Sequence, residues 1–510
     1  MRDWLDRFHP LLLCLLIALI LRLPAVIFSR GYMASDDHFE TVQIAYDGIQ
    51  KGLCNDDGSL RWERVAPDNI GRSPLYVLFL FALMKLQFWI GITSLDAMMY
   101  FIRLIHALLS LLTVYFGMKY IADSTKSRHA ALAGGLILAG HFLMPYLAVR
   151  NLIEQVSADL LVPSVYLAYK GFHSRDSRLL MLAGIMGGLS WMIRFNTGLA
   201  VLPIPFVLWY QARQVRPALY FAAGGLLVVL FSGSLDIQFL GSFGRSSLNI
   251  MERFLFPSGP PPLPQPFWIF AVLILGILIP PFSFYFLGSI FNRTALNKHL
   301  VAFTAAASFF IVHSIITHKE ERFMVPIFPL LVILGIVGLH EWFSAGKLSA
   351  RHRKFLKGSA VAALALNILF LPIFTFNYAH RGTVDSMVYL SKQSDVRLYL
   401  VDRTERKLLA PYSYAGINTA MPILLDRWET LDTAAERVNW FDSVNYIVVF
   451  SDTAQEMHRQ RLSTYFGEMT PVYHAPPSLV DMLLHFLNPR HNHTNEAWVY
   501  RRIGDYPIDK

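Results

Sequence analysis

The sequence predicts a polytopic α-helical membrane protein with a small α/β extramembrane domain at its C-terminal end. Three observations predict it. Of 510 residues, 54% are hydrophobic and only 16% charged, whereas a soluble domain carries about a quarter charged residues. Runs such as 11–21, 268–278 and 325–339 are almost free of charge and need lipid around them. From about residue 377 the chain turns polar. There the β-type runs VRLYLV (396–401), YIVVF (446–450) and AWVY (497–500) are separated by helix-like stretches at 430–438 and 453–466. Strands alternating with helices read as a small α/β domain.

The first apolar run, about 9–28, is long for a signal peptide and lacks a small-residue cleavage site, so it reads as a retained span. The net charge of +9 does not point to nucleic acid, because Lys and Arg gather in short loops at 126–128, 170–178, 213–216, 293–298 and 347–357. Such loops face the cytoplasm, so successive ones should be separated by two spans. Apolar stretches near 129–147, 153–169, 179–193, 197–210, 217–234, 266–288, 299–316 and 324–343 satisfy that spacing. Residues 74–90 would invert every later loop if they crossed, so they read as an interfacial or re-entrant helix, and 97–121 as the second span. The expectation is about eleven transmembrane helices, a cytoplasmic N-terminus, a membrane module over 1–376 with its first external loop at 29–96, and an external domain over 377–510. Cys14 lies in the first span and Cys54 in the loop, which excludes a disulfide framework or a cysteine metal site. The proline-rich stretch 257–266 reads as a stiff loop.

This topology gathers the ionisable side chains of the spans at one external face, where charges costly in lipid mark a functional surface. The first external loop opens Ser35-Asp36-Asp37-His38. Two adjacent carboxylates suit acid/base work, and they equally suit a capped helix start. The same loop carries Trp62, Glu63 and Arg72. Further along, Arg150, Glu154, Arg194 and Asp236 fall on the same side. Between two apolar runs stands His318-Lys319-Glu320-Glu321-Arg322-Phe323. Its cations suit a phosphate, Lys as a point charge and Arg as a fork, with the carboxylates orienting them. A plain turn with snorkelling charges would need neither a histidine nor internal charge balance.

HKEERF resembles the HKExRF signature of glycosyltransferase family 22, which includes lipid-phosphate-mannose-dependent mannosyltransferases of N-glycan and GPI-anchor assembly. The resemblance runs through the membrane body in order. SDDHFE (35–40) is similar to the family's PDExFQ, LRWE (60–63) to LTWE, and GRSPLY (71–76) to RSxLYP. RNLIE (150–154) stands at the RTLSNSxE position, RFNT (194–197) at RPT, and SLD (234–236) at SLxID. Asp37 stands where Glu is usual, and Glu40 where Gln is.

The resemblance implies a GT-C fold and inverting transfer of a mannosyl or related hexosyl residue from a polyprenyl- or dolichyl-phosphate sugar to a glycan or glycolipid hydroxyl. It implies Asp36 as the base and Asp37 as an orienting group. His318, Lys319 and Arg322, with Arg150, would bind the donor phosphate, supported by Glu63, Arg72, Glu154, Arg194, Asp236 and Glu320. A lipid phosphate is already a good leaving group, so no metal or cofactor is expected. Two alternatives stay open: a GT-C enzyme of another class acting on protein or lipid A, and a lipid or sugar transporter, although no internal repeat supports the latter. The absence of cysteine from the tail suits a bacterial inner membrane with a periplasmic site, the endoplasmic reticulum being the alternative.

The topology is open to direct test. In a chain lacking Cys14 and Cys54, Arg351→Cys is expected to react with an impermeant maleimide only from the cytoplasmic side of sealed vesicles, and Asp481→Cys only from the other. Labelling of Asp481→Cys from the cytoplasmic face would overturn the orientation.

Overall fold

The computed structural model describes residues 9–54, 56, 72–255, 265–404, 409–416, 422–426, 430–437, 443–451, 455–487, 494 and 496–503. By contacts the chain packs as two units, Met1–Val26, Cys54–Phe79 and Arg103–Thr375 in one, and Ile27–Leu53, Leu80–Ile102 and Phe376–Lys510 in the other. The unit containing the tail thus also contains the acidic part of the first loop.

The described residues of the first unit form helices and the turns that join them, apart from a single bridge residue at Cys54. Among these, five helices are long and apolar enough to cross a membrane alone: Pro10–Phe28, Leu95–Thr125, Arg216–Leu240, Glu321–Ser344 and Ala350–Thr375. A sixth span arises if the bent pair Ile269–Ile277 and Phe282–Ile290, 117° apart, counts as one. Of the other expected spans, 153–169, 179–193 and 299–316 are single helices, Ile153–Ser174, Ser177–Ile193 and Leu300–Ile315, the first more polar and the other two shorter than those five, and the rest are broken. Local chemistry explains the breaks. Pro280 and Pro281 lack N–H donors where 266–288 was expected to run straight, and Pro203 starts a new helix inside 197–210. The expected span 129–147 divides at His141 into Arg128–Gly140 and Leu143–Ala148.

One helix forms the centre of this unit. Every residue of Ile153–Ser174 from 153 to 168 is buried, the signature of a helix covered on all sides. Ser157 Oγ lies 2.9 Å from Ser190 Oγ, and Ser164 donates to the Ala183 carbonyl at 2.8 Å, tying Ser177–Ile193 alongside. That neighbour in turn meets Arg216–Leu240 through glycines. A Cβ at Gly184 would stand 1.9 Å from the Phe221 carbonyl oxygen, and one at Gly224 2.0 Å from that of Met181. Only hydrogen fits, as at the small-residue interfaces of membrane helices. Fully buried Arg22 donates to Ser110 Oγ at 2.7 Å and to the Ala139 carbonyl at 3.0 Å.

The second unit contains a five-stranded sheet in the order β2-β1-β3-β5-β4, with β1 Tyr399–Asp402, β2 Ile423–Leu425, β3 Tyr446–Val449, β4 Met469–Ala475 and β5 Ala497–Arg502. The first three strands are parallel and the last two pair antiparallel. The parallel strands are fully buried or nearly so, which is why they read as apolar runs. Leu400, Ile447, Val449, Leu462, Phe466 and Tyr500 close the core. Strand β2 is too short to declare itself in sequence, and β4 hides behind Pro471, which sits at a register shift. At the end of β1 the buried Asp402 carboxylate accepts from Thr404 Oγ1 at 2.7 Å, His458 Nδ1 at 3.0 Å and Arg461 Nη2 at 2.6 Å, which ties the Gln455–Phe466 helix to the sheet.

The glycine contacts predict a stability pattern. Gly184→Ala or Gly224→Ala should cost about 2–3 kcal/mol, as overpacking does. Gly358→Ala, where a Cβ meets nothing within 4 Å, should be neutral or slightly stabilising through helix propensity. Thermal unfolding in detergent reads all three; equal melting temperatures would remove the close approach.

Candidate active site

In the first unit, three segments distant in sequence bring their charges together. Glu154 occupies the first turn of the central Ile153–Ser174 helix, fully buried. Its Oε1 lies 2.5 Å from Arg194 Nη1 and 3.5 Å from Arg322 Nε. Arg322 Nε also meets Glu320 Oε2 at 2.6 Å, and Glu320 Oε1 meets His318 Nε2 at 2.9 Å. The result is a continuous line of ionisable groups, Arg194–Glu154–Arg322–Glu320–His318, running from a buried end to a half-exposed one. The helix N-terminus beneath Glu154 favours a carboxylate there. Arg194 owes its place to the end of Ser177–Ile193, where the backbone turns extended. Phe323 lies 5.1 Å from the Arg194 guanidinium and 5.8 Å from that of Arg322, so an aromatic face backs both cations.

The other expected cations sit differently. Lys319 is 6% exposed, and its Nζ donates to the Ile316 carbonyl at 2.5 Å and the Gln265 carbonyl at 3.2 Å, closing the C-terminal end of the Leu300–Ile315 helix. Arg150 is buried with its guanidinium 4.5 Å over the Tyr146 ring. Arg72 is half-buried. Beside it, Ser73 Oγ lies 2.9 Å from Ser232 Oγ and Tyr76 OH 2.7 Å from His106 Nε2. Buried Asp236 accepts from Ser246 N at 3.1 Å and Oγ at 2.7 Å, closing the turn after Arg216–Leu240. Glu63, with the rest of 60–63 and Gly71, lies outside the described residues, as do 256–264 and 491–493. An apolar groove of about 460 Å³ opens in the same unit, lined among others by Ile274, Leu287, Phe303, Phe310, Ile311 and Leu334.

Asp36 and Asp37 belong to the second unit. Ser35–Asp37 forms a first turn, His38–Val42 a wide π-helical turn, and Gln43–Lys51 an ordinary helix. Such a π turn inside a helix often marks a functional position. Asp36 is half-buried and Asp37 fully buried. Thr41 Oγ1 donates to the Asp37 carbonyl. His38, absent from the expected site, is 1% exposed and stacks on Tyr32 with ring centres 4.5 Å apart. Burial, reinforced by the nearby His380, pushes its imidazole down to about 3, so the ring is neutral at physiological pH. The signal for His38 lay inside the SDDHFE segment; Tyr414, which stacks on it, and His380, which stacks on Tyr32, lie some 340 residues or more away and carry no local motif.

A family model described as the Alg9-like mannosyltransferase family matches residues 13–396. The chain is 25% identical over 343 residues to GPI mannosyltransferase 3 of Drosophila melanogaster, covering 64% of this chain and 56% of that protein. It is 22% identical over 393 residues to human GPI alpha-1,2-mannosyltransferase 3, covering 74% and 64%. The match therefore spans less than two thirds of the length of either relative. Among solved structures, ArnT from Cupriavidus metallidurans bound to undecaprenyl phosphate aligns over 97% of this chain and 98% of its own, with a TM-score of 0.59 at 16% identity. Its apo form aligns with a TM-score of 0.61. An oligosaccharyltransferase from Archaeoglobus fulgidus aligns over 89% of this chain with a TM-score of 0.51. The fold is thus the GT-C fold of ArnT, membrane module and tail included.

The Glu154 pair predicts a contrast between buried and exposed charges. Glu154→Ala leaves two guanidiniums without their shared carboxylate and should cost about 3–5 kcal/mol. Lys298→Ala breaks a pair with Glu341 whose lysine is 56% exposed and should cost less than about 1 kcal/mol. Melting temperatures of both variants check this; a Glu154→Ala as stable as Lys298→Ala would mean the buried pair holds nothing.

Proposed function

The chain belongs to the Alg9-like mannosyltransferase family, and from that premise we propose that it is an inverting mannosyltransferase using a polyprenyl- or dolichyl-phosphate sugar. The acceptor is a hydroxyl of a glycan or glycolipid on the external face of the membrane, in a bacterial inner membrane on our reading. One observation carries the proposal: HKEERF, Arg194 and Glu154, far apart in the chain, form one paired cluster at the head of the most enclosed helix. A turn that merely reversed the chain would gain nothing from burying a carboxylate between two arginines.

In the proposed reaction the acceptor oxygen attacks the anomeric carbon opposite the phosphate. Asp36 takes the hydroxyl proton. The bond to phosphate breaks, and its electron pair leaves with the lipid phosphate. Arg322, Lys319 and His318, with Arg150, meet that growing charge, while Glu154 and Glu320 hold the arginines in a fixed geometry. Cations preset by carboxylates need little reorganisation as the charge develops. The apolar groove of about 460 Å³ suits an isoprenoid tail, since it offers no polar lining to compete with hydrocarbon.

A second reading has its own observation. The ArnT likeness covers the chain end to end, tail included, whereas the GPI mannosyltransferases match 64% and 74% of it. That favours a polyprenyl-phosphate sugar transferase of another GT-C class, acting on protein or lipid A.

Purified protein incubated with radiolabelled polyprenyl-phosphate mannose and a panel of membrane glycolipids separates the two. Transfer of mannose to a glycolipid supports the first; transfer only from a donor carrying another sugar supports the second. In the productive assay, Asp36→Asn should abolish turnover and leave donor affinity intact, because asparagine accepts a hydrogen bond but not a proton. Arg322→Ala and Lys319→Ala should lose about 2–4 kcal/mol of transition-state stabilisation, as loss of an oxyanion donor does. Normal kinetics at limiting donor in both would make the cluster purely structural.

A further inference from the structure

The tail meets the acidic loop through an ordered stack of rings. Tyr32 lies between His38 and His380, 4.5 Å from each and within 11° of parallel to both. Tyr414 covers the other face of His38 at 5.5 Å and 13°. The column therefore reads His380–Tyr32–His38–Tyr414, with its two outer rings from the tail and its two inner rings from the loop. His38 directly follows Asp37, so the column is attached to the acidic pair by one peptide bond.

Other contacts brace the same two segments. The Ala379 amide donates to the Arg30 carbonyl at 3.1 Å. Gly31 has φ +76°, and a Cβ there would stand 1.8 Å from the Ala379 carbonyl oxygen, so the two chains cross at contact distance. The Arg30 guanidinium lies 4.7 Å over the Tyr378 ring and pairs with Asp96 at 2.8 Å. Tyr412 OH donates to Asp47 Oδ2 at 2.7 Å.

We infer that the tail positions the acidic pair, and that His38, His380 and Tyr414 are positioning residues for transfer through this column. The inference rests on the reading of Asp36 as the base. Its physical content is geometric. Flat rings stacked on both faces restrict tilt and slide of the turn that carries Asp36, where a loop held only at its ends would swing. A neutral His38 suits the role, because it shares the column with a second imidazole, His380, without charge repulsion and puts no positive charge beside the carboxylates. Misplacement of a reacting group by about 1 Å costs on the order of 10²-fold in rate, so a positioning device of this kind is read in kcat rather than in donor binding.

The test compares ring-keeping with ring-losing variants of the full chain in nanodiscs. His38→Phe and Tyr414→Phe keep the stack; His38→Leu and Tyr414→Leu keep bulk and lose it. The leucine variants are expected to lose kcat on the order of 10²-fold with the donor KM unchanged, and the phenylalanine variants to stay near the parent. A spin label at Ser35→Cys, in a chain freed of Cys14 and Cys54, reads position independently of activity: immobile in the parent and phenylalanine variants, mobile in the leucine ones. Parental kcat and an immobile label in the leucine variants overturn the inference, as do phenylalanine variants as slow as the leucine ones. Parental turnover in Asp36→Asn instead removes the base reading, and the inference falls with it by a separate route.

Discussion

The membrane unit depends on a rule of low-dielectric media: a charge away from water must be paired where it stands. Glu154 is wholly buried, and two arginines meet it, one from the end of the neighbouring helix and one from the motif that opens Glu321–Ser344. Removing water from three charges costs several kcal/mol each before pairing offsets it, so this arrangement is poorly explained as a device for stability. A well-packed apolar trio would hold the helices at least as well. The charges therefore make sense as a preset field, strong because little water screens it and directed because each guanidinium is held on one side by a carboxylate and backed by Phe323.

The helical body was legible in the sequence because its physical cause is local. Low charge, apolar runs and basic loops announce lipid wherever they occur, and HKEERF stands out as charge where charge is costly. What local reading could not deliver was continuity. Pro203 and the Pro280–Pro281 pair break stretches whose composition alone looks unbroken, and His141 marks a break that no proline signals. In the tail, β1, β3 and β5 were legible because their residues are buried and apolar, while β2 has three residues and β4 carries Pro471. Short strands and bulged strands lack the length over which periodicity can be read.

The candidate residues were legible to different depths in the two units. The paired partners Glu154, Arg194, Glu320 and Arg322 were each singled out, though nothing local said that one carboxylate would serve two arginines. Lys319 illustrates the limit: its place between two apolar runs was legible, but its ammonium donates to the carbonyls of Ile316 and Gln265, a fact that depends on where a helix ends. The ring column was wholly illegible. Stacking between residues 32 and 414 follows from tertiary packing, and an isolated tyrosine or histidine in a polar tail reads as nothing in particular.

The extent of the family match sharpens what the tail is for. It runs through residue 396 and so contains His380, but stops before Tyr412–Ala415 and before every strand of the sheet. Three of the column's four rings thus lie within the region shared with the family, and Tyr414 lies beyond it. If the tail were only an appendage, the segment that crosses Gly31 at contact distance would have no need of a left-handed glycine at the crossing point. Because it does, the loop and the tail have been fitted to each other at the backbone level, where substitutions are least forgiving. The hold on Tyr414 then has a mechanical sense: rings can hold a turn in place only if the outermost ring is itself held, and the buried Tyr412–Ala415 segment anchored to Asp47 supplies that hold.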